Sequence, residues 1–216
     1  MRRITEFLST KVAKSSIIKA TDKTIYKIVK AELDRLGHDA DLNHIDVSGV
    51  TTMDQLFSTN RSGTYDLGLG DNYFDLNPDI SRWDVSNVVD MKRCFWFCSQ
   101  FNCDLSQWNT DSLKFADYAF CQCTIFNQDM STWNMSNCES IRGMFAHCFN
   151  FKSDLSGWDV RKVKDMTFFL TNCQKFCCDL SGWELDSMNN GIYSYEGCLS
   201  MKDKYWPRKK GHQMKK

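Results

Sequence analysis

Asp104-Leu105-Ser106-Gln107-Trp108, Asp129-Met130-Ser131-Thr132-Trp133 and Asp154-Leu155-Ser156-Gly157-Trp158 are one phrase written three times, 25 residues apart. The same phrase stands before them as Asp79-Ile80-Ser81-Arg82-Trp83 and after them as Asp179-Leu180-Ser181-Gly182-Trp183. Other columns keep the same register: a cysteine at Cys98, Cys123, Cys148, Cys173 and Cys198, and Phe101, Phe126, Phe151, Phe176 and then Met201 three residues later. Internal repetition of this length is the first thing to settle, because each copy is too small to bury its own core.

Working outward, Asp46-Val47-Ser48-Gly49-Val50-Thr51-Thr52-Met53 matches Asp84-Val85-Ser86-Asn87-Val88-Val89-Asp90-Met91 at a distance of 38 residues. It is a degenerate first copy, and the extra residues fall in a glycine-bearing loop at 58–77. Ahead of it, residues 21–36 carry Ile25, Ile28, Val29, Leu33 and Leu36 on one helical face, with Thr21 or Asp22 as the N-cap and Gly37 as the stop. The resulting division is a basic arm and capping helix over 1–40, repeats over 41–201 with starts at 79, 104, 129, 154 and 179, and a C-terminal cap with a basic tail over 202–216.

Within one copy, Ile80, Trp83 and Val85 read as a short strand. Val88, Met91, Phe95 and Cys98 follow at steps of three and four, as on one face of a short helix, with Ser86 as its N-cap. Ser136-Asn137-Cys138-Glu139 reads as a capping box. The expected fold class is therefore an α/β solenoid, a leucine-rich-repeat-like right-handed coil of about six rungs, each a short parallel strand plus a short helix, closed by an N-terminal helical cap.

These phrases resemble the BspA-like leucine-rich-repeat family, also known by the domain name DUF285. Its unit runs roughly F-N-x-D-L-S-x-W-D-V-S-N-V-x-D-M-x-x-M-F-x-x-C. Phe101-Asn102-Cys103-Asp104-Leu105-Ser106-Gln107-Trp108, Trp83 through Met91 and Met144-Phe145-Ala146-His147-Cys148 carry the likeness. The resemblance implies a solenoid and a surface or secreted protein that binds other proteins; it implies no catalysis.

Charge narrows the function classes. Residues 1–40 carry +4, residues 41–200 carry −10 and residues 201–216 carry +6, so the zero net charge conceals an acidic body between basic ends. No stretch of 18 apolar residues occurs, and the basic start lacks the apolar run of a secretion signal. A cytoplasmic location is expected on that ground, while the family resemblance allows a surface or secreted one. Eleven cysteines is an odd number, and without a signal the thiols are expected to be mostly reduced.

Trp83, Trp108, Trp133, Trp158 and Trp183 are assigned to the core, and so are Cys98, Cys123, Cys148, Cys173 and Cys198. The Asp column from Asp79 to Asp179 is assigned to turns, each carboxylate accepting backbone N–H bonds. No catalytic residue, metal site or cofactor is assigned: His147 beside Cys148 points elsewhere on a helix, and no P-loop or zinc signature occurs. The residues between the buried strand positions, Arg82, Asp84, Gln107, Asn109, Thr132, Asn134, Asp159 and Glu184, are expected to form a strand face for a protein partner. Tyr65, Tyr73 and Phe74 of the inserted loop are a second contact candidate. The function expected is a non-enzymatic protein-interaction module, possible as an adhesion-type protein. The alternative is a nucleic-acid-associated protein that uses both basic ends, which the acidic body disfavours.

Overall fold

The computed structural model describes residues 16–59, 69, 71–73 and 75–207. Strand β1 (Ile18–Lys19), helix α1 (Ile25–Leu36) and strand β2 (Ile45–Asp46) come first, and short 3-10 turns lie at Asp71–Tyr73 and Asp203–Tyr205. β1 pairs with β2 in parallel, Ile18 opposite Ile45 and Lys19 opposite Asp46.

That inventory overturns the expected fold class. Among the described residues there is one α-helix and one two-stranded sheet, so no 25-residue unit carries its own strand and helix. The leucine-rich-repeat solenoid is accordingly withdrawn. The reason lies in where the backbone donors go. An α-helix sends each N–H to the carbonyl four residues back. Over Met91–Cys98, alternate donors leave for the next unit instead: Met91 to Phe115 at 2.8 Å, Arg93 to Asp117 at 2.8 Å, Phe95 to Ala119 at 2.8 Å and Phe97 to Cys121 at 2.9 Å. The donors between them close three-residue turns, Cys94 to Met91, Trp96 to Arg93 and Cys98 to Phe95.

The backbone dihedrals agree. Arg93 and Phe97 sit at φ of 54° and 67°, and the pair recurs as Tyr118 and Gln122, Gly143 and His147, Phe168 and Asn172, and Tyr193 and Gly197. Left-handed residues at every fourth position rule out a right-handed helix. A succession of turns buries side chains at the same three- and four-residue steps as a helix face, which is how the pattern misled. The capping residues change meaning too: Ser136 donates its N–H to the Asn134 side chain at 3.0 Å and starts no helix.

The strand expected at Ile80–Val85 is likewise a pair of turns. Ser81 N–H is held by Asp79 at 3.0 Å and Ser86 N–H by Asp84 at 3.1 Å, while Trp83 N–H closes on Ile80. Asp104, Asp129, Asp154 and Asp179 each accept the N–H of the serine two residues on in the same way. Parallel contact between units is reduced to single bridges, Thr52 with Asp90, Asp90 with Phe115, Phe115 with Ser140, Ser140 with Asp165 and Asp165 with Asn190.

Units lie against one another through their side chains. Trp108 stacks on Trp133 at 6.1 Å and Trp158 on Trp183 at 6.3 Å. Phe95, Phe120 and Phe145 form a file at 5.2 and 5.5 Å. Each indole N–H reaches a backbone carbonyl one unit back: Trp108 to Ile80, Trp133 to Leu105, Trp158 to Met130 and Trp183 to Leu155, at 2.9–3.2 Å. The cysteine column does the same. Cys98, Cys123, Cys148, Cys173 and Cys198 donate their thiols to Phe57, Phe95, Phe120, Phe145 and Leu170 carbonyls at 2.8–3.0 Å. These groups therefore bury no unpaired polar atom.

Before the first unit, α1 buries Ile25, Val29 and Leu33 against it. Its start is at Ile25, with Thr24 as N-cap, and Gly37 ends it at φ 100°. Asp22 caps no helix; its carboxylate accepts from Thr51 N–H and hydroxyl, both at 2.7 Å, and so ties the helix entry to the first unit.

Candidate interaction surface

Arg82, Asp84, Gln107, Asn109, Thr132, Asn134 and Glu184 are exposed and Asp159 is half-buried, along one side of the units. Since, among the described residues, no 25-residue unit holds a strand there, these residues form no strand face, and recognition through one is withdrawn together with it. Several of these groups are also spent internally. Asn109 accepts Asp111 N–H at 2.9 Å, Asn134 accepts Ser136 N–H and donates to Asp111 at 2.6 Å, and Thr132 donates to Ser106 at 2.8 Å. Arg161 grips Asp159 with two bonds of 2.8 and 2.6 Å and draws its carboxyl down to about 2. A shallow groove of about 270 Å³ opens between Asp159 and Glu184, with Gly157 and Gly182 in its lining and nothing within 4 Å of where their Cβ atoms would stand.

Of the loop candidates, Tyr73 is buried. Its hydroxyl takes a bond from Lys30 at 2.7 Å and donates to Asp34, and His38 lies beside its ring, so it fastens the insertion to α1. Tyr65 and Phe74 lie outside the described residues, as do residues 1–15 and 208–216 of the basic ends behind the nucleic-acid alternative.

The turn rows display different chemistry. Lys92 places its ammonium 4.3 Å from the centre of the Phe115 ring. Arg142 is the hub: Nε donates to the Tyr118 hydroxyl at 2.8 Å, Nη1 lies 3.6 Å from Asp165, and the guanidinium sits 5.8 Å from the Phe168 ring. Phe168 stacks on Tyr193 at 5.8 Å with the planes 7° apart. Between the cations, Asp117 accepts from the Ser140 hydroxyl and Arg142 N–H, and burial pushes its carboxyl up.

Gly143 makes this arrangement fit. The Tyr118 ring lies across its α-carbon, so that an added Cβ would meet Tyr118 Cε1 at 2.4 Å, and its φ of 57° is left-handed as well. Farther along the same rows, His147 meets Phe149 edge-on at 6.2 Å and Asn172 at 3.3 Å. Phe149, Ile192, Tyr193 and Leu199 stay exposed, at 36%, 47%, 40% and 80%. Sequence reasoning missed this surface because its columns do not repeat a chemistry: Arg93, Tyr118, Gly143, Phe168 and Tyr193 share a backbone conformation and not a side chain. Aromatic residues recurring outside the constant columns were the available signal.

His147 and Cys148 do not form a nucleophile–base pair. The Cys148 thiol is buried in its bond to Phe120 and burial pushes it well up, whereas burial lowers His147. Reactive cysteines need the opposite shift. Among the described residues, no group of three or more His, Cys, Asp or Glu could hold a metal ion, and no helix is long and apolar enough to cross a membrane.

A family model described as "Mycoplasma protein of unknown function, DUF285" matches residues 37–124, 70–183 and 118–205. No curated protein and no solved structure matches.

Proposed function

We propose that this chain, which belongs to the DUF285 family, is a non-catalytic binding protein whose partner is another protein, held on the aromatic turn rows. One observation carries the reading: the surface running from Lys92 and Phe115 through Arg142 to Phe168 and Tyr193 keeps large rings half-exposed, while the core has buried rings of its own. Tyr and Arg are enriched among the residues that dominate interface energetics, Tyr because it buries a large ring with few rotatable bonds and Arg because its planar guanidinium stacks and donates several hydrogen bonds. The likeness to BspA-like repeats supports a binding role through its shared phrase, not through a leucine-rich-repeat fold. The raised thiol of Cys148 speaks against nucleophilic catalysis at the one His–Cys neighbour pair. Thiols that must keep their hydrogens to donate, from Cys98 to Cys198, support a reducing compartment such as the cytoplasm.

Site-specific photocrosslinking tests the reading. A benzophenone side chain at Tyr193 or Phe149 is expected to give a discrete protein adduct that unlabelled chain competes away, and the same group at Gln107 is expected to give none. Equal adducts from Gln107, or adducts to nucleic acid, would contradict it.

A further inference from the structure

The backbone donors that join the units form a series that stops at the last one. Met53, Gln55, Phe57 and Thr59 donate to the second unit, and Met91, Arg93, Phe95 and Phe97 donate to the third. The pattern continues through Met166, Phe168, Leu170 and Asn172, which reach Asn190, Ile192, Ser194 and Glu196 at 2.6–3.2 Å. One unit later, the corresponding N–H groups of Gly191, Tyr193 and Gly197 have no acceptor among the described residues. Ile192, Tyr193 and Leu199 stand exposed beside them. Tyr205, Trp206 and Pro207 shield the core here, Trp206 lying on Tyr195 at 4.5 Å, but they leave this row uncovered.

We infer that this edge takes a polypeptide segment of a partner protein, one that presents carbonyls on alternate residues to Gly191, Tyr193 and Gly197 and an apolar side to Ile192 and Leu199. The inference deepens the protein-binding reading and rests on it. Open rows of backbone groups are templates for pairing, and backbone pairing plus side-chain contact is an established recognition mode. The mate is specified by its polarity: a row of donors needs acceptors. A second copy does not supply them. Its own last unit offers the same donors, and its first unit is closed, since Gln55, Ser58 and Thr59 are buried where Arg93, Trp96 and Phe97 are half-exposed.

The probe is a capped synthetic peptide of residues 189–199 with Cys198→Ser, a segment whose carbonyls already serve this role one junction earlier. Added to the isotope-labelled full chain, it should shift the amide signals of Gly191, Tyr193 and Gly197 and slow their hydrogen exchange. Met91 and Phe95, inside the series, should stay unmoved. Gly191→Pro removes one donor and should weaken the peptide by about 2- to 12-fold, the equivalent of one net hydrogen bond. Ile192→Asp, which leaves all donors in place, should weaken it too.

Four results would overturn the inference. One is no shift at millimolar peptide. A second is shifts confined to Phe115 and Arg142, which would keep the aromatic surface and remove the edge. A third is the same three amides moving with protein concentration alone while sedimentation shows dimers, which would make a second copy the occupant. The fourth is binding that occurs only after residues 208–216 are deleted, which would assign the edge to the chain's own segment. Loss of the Phe149 crosslink with these amide shifts intact would remove the aromatic surface and leave the edge.

Discussion

The two ends of the molecule are finished differently. Before its first unit the chain lays a helix with three buried side chains, a strand paired to β2, and a carboxylate, Asp22, that holds Thr51 and Thr52. After its last unit it lays Trp206 on Tyr195 and bonds Leu180 to the Tyr205 carbonyl at 2.7 Å. Both devices keep water from the aromatic file. At the first unit the turn row is buried as well, while at the last it is displayed. An end that must only be stable is covered twice, and an end left half-covered is where binding can be sought.

The largest expected effect comes from breaking the heavier cover. Val29→Asp puts a charge against the first unit and should cost more than about 4 kcal/mol, read by urea denaturation. Trp206→Ala at the lighter cover should cost about 3 kcal/mol. Its loss should be local: hydrogen exchange should accelerate in residues 179–200 while the first units keep their protection. Cys148→Ala, between the ends, removes a thiol bonded to Phe120 at 3.0 Å. About 1–2 kcal/mol is expected, from a small cavity and the loss of one of the two bonds to the Phe120 carbonyl, which keeps the Cys123 N–H. Uniform loss of protection in the Trp206 variant would erase the contrast between the ends.

The smallest effect is a pH effect at the first end. Partial burial raises Asp22, but bonds from Thr51 and Thr52 outweigh it, so its carboxyl titrates below the ordinary value. A depressed folded-state value means stability that is present above about pH 3.9 and lost as the pH falls through the folded value. Asp22 is mostly exposed, so well under about 1 kcal/mol is at stake. Acid should release the Thr51 and Thr52 amides before those of residues 164–172, and Asp22→Asn should abolish that ordering. Amide exchange followed from pH 6 to pH 3 decides it.

How much was legible follows from what each residue type can do locally. The helix ahead of the first unit was readable because twelve residues with one apolar stripe and a terminal glycine leave few alternatives. The carboxylate turns were readable because an Asp two residues before a Ser can accept its N–H without help from elsewhere. The units' strand and helix were misread. Steps of three and four residues are common to a helix face and to a row of turns, and the difference lies in donors that leave for another unit. The interaction surface was invisible for the same reason. Phe115, Arg142 and Phe168 are far apart in the chain and become neighbours across turn rows whose existence the periodicity did not disclose.

The amino-acid sequence by itself determined the 25-residue period, the constant columns of Trp, Cys and Phe, and the charge division between body and ends. Those are properties of composition and spacing, and they hold whatever the backbone does. Tertiary structure alone decided that alternate N–H groups cross to the next unit, that residues such as Arg93 and Tyr118 turn left-handed, and that the donors of Gly191, Tyr193 and Gly197 are left over. A backbone donor has the same chemistry in every residue but proline. Which carbonyl it meets is fixed by what lies beside it in space, and no side-chain pattern records that.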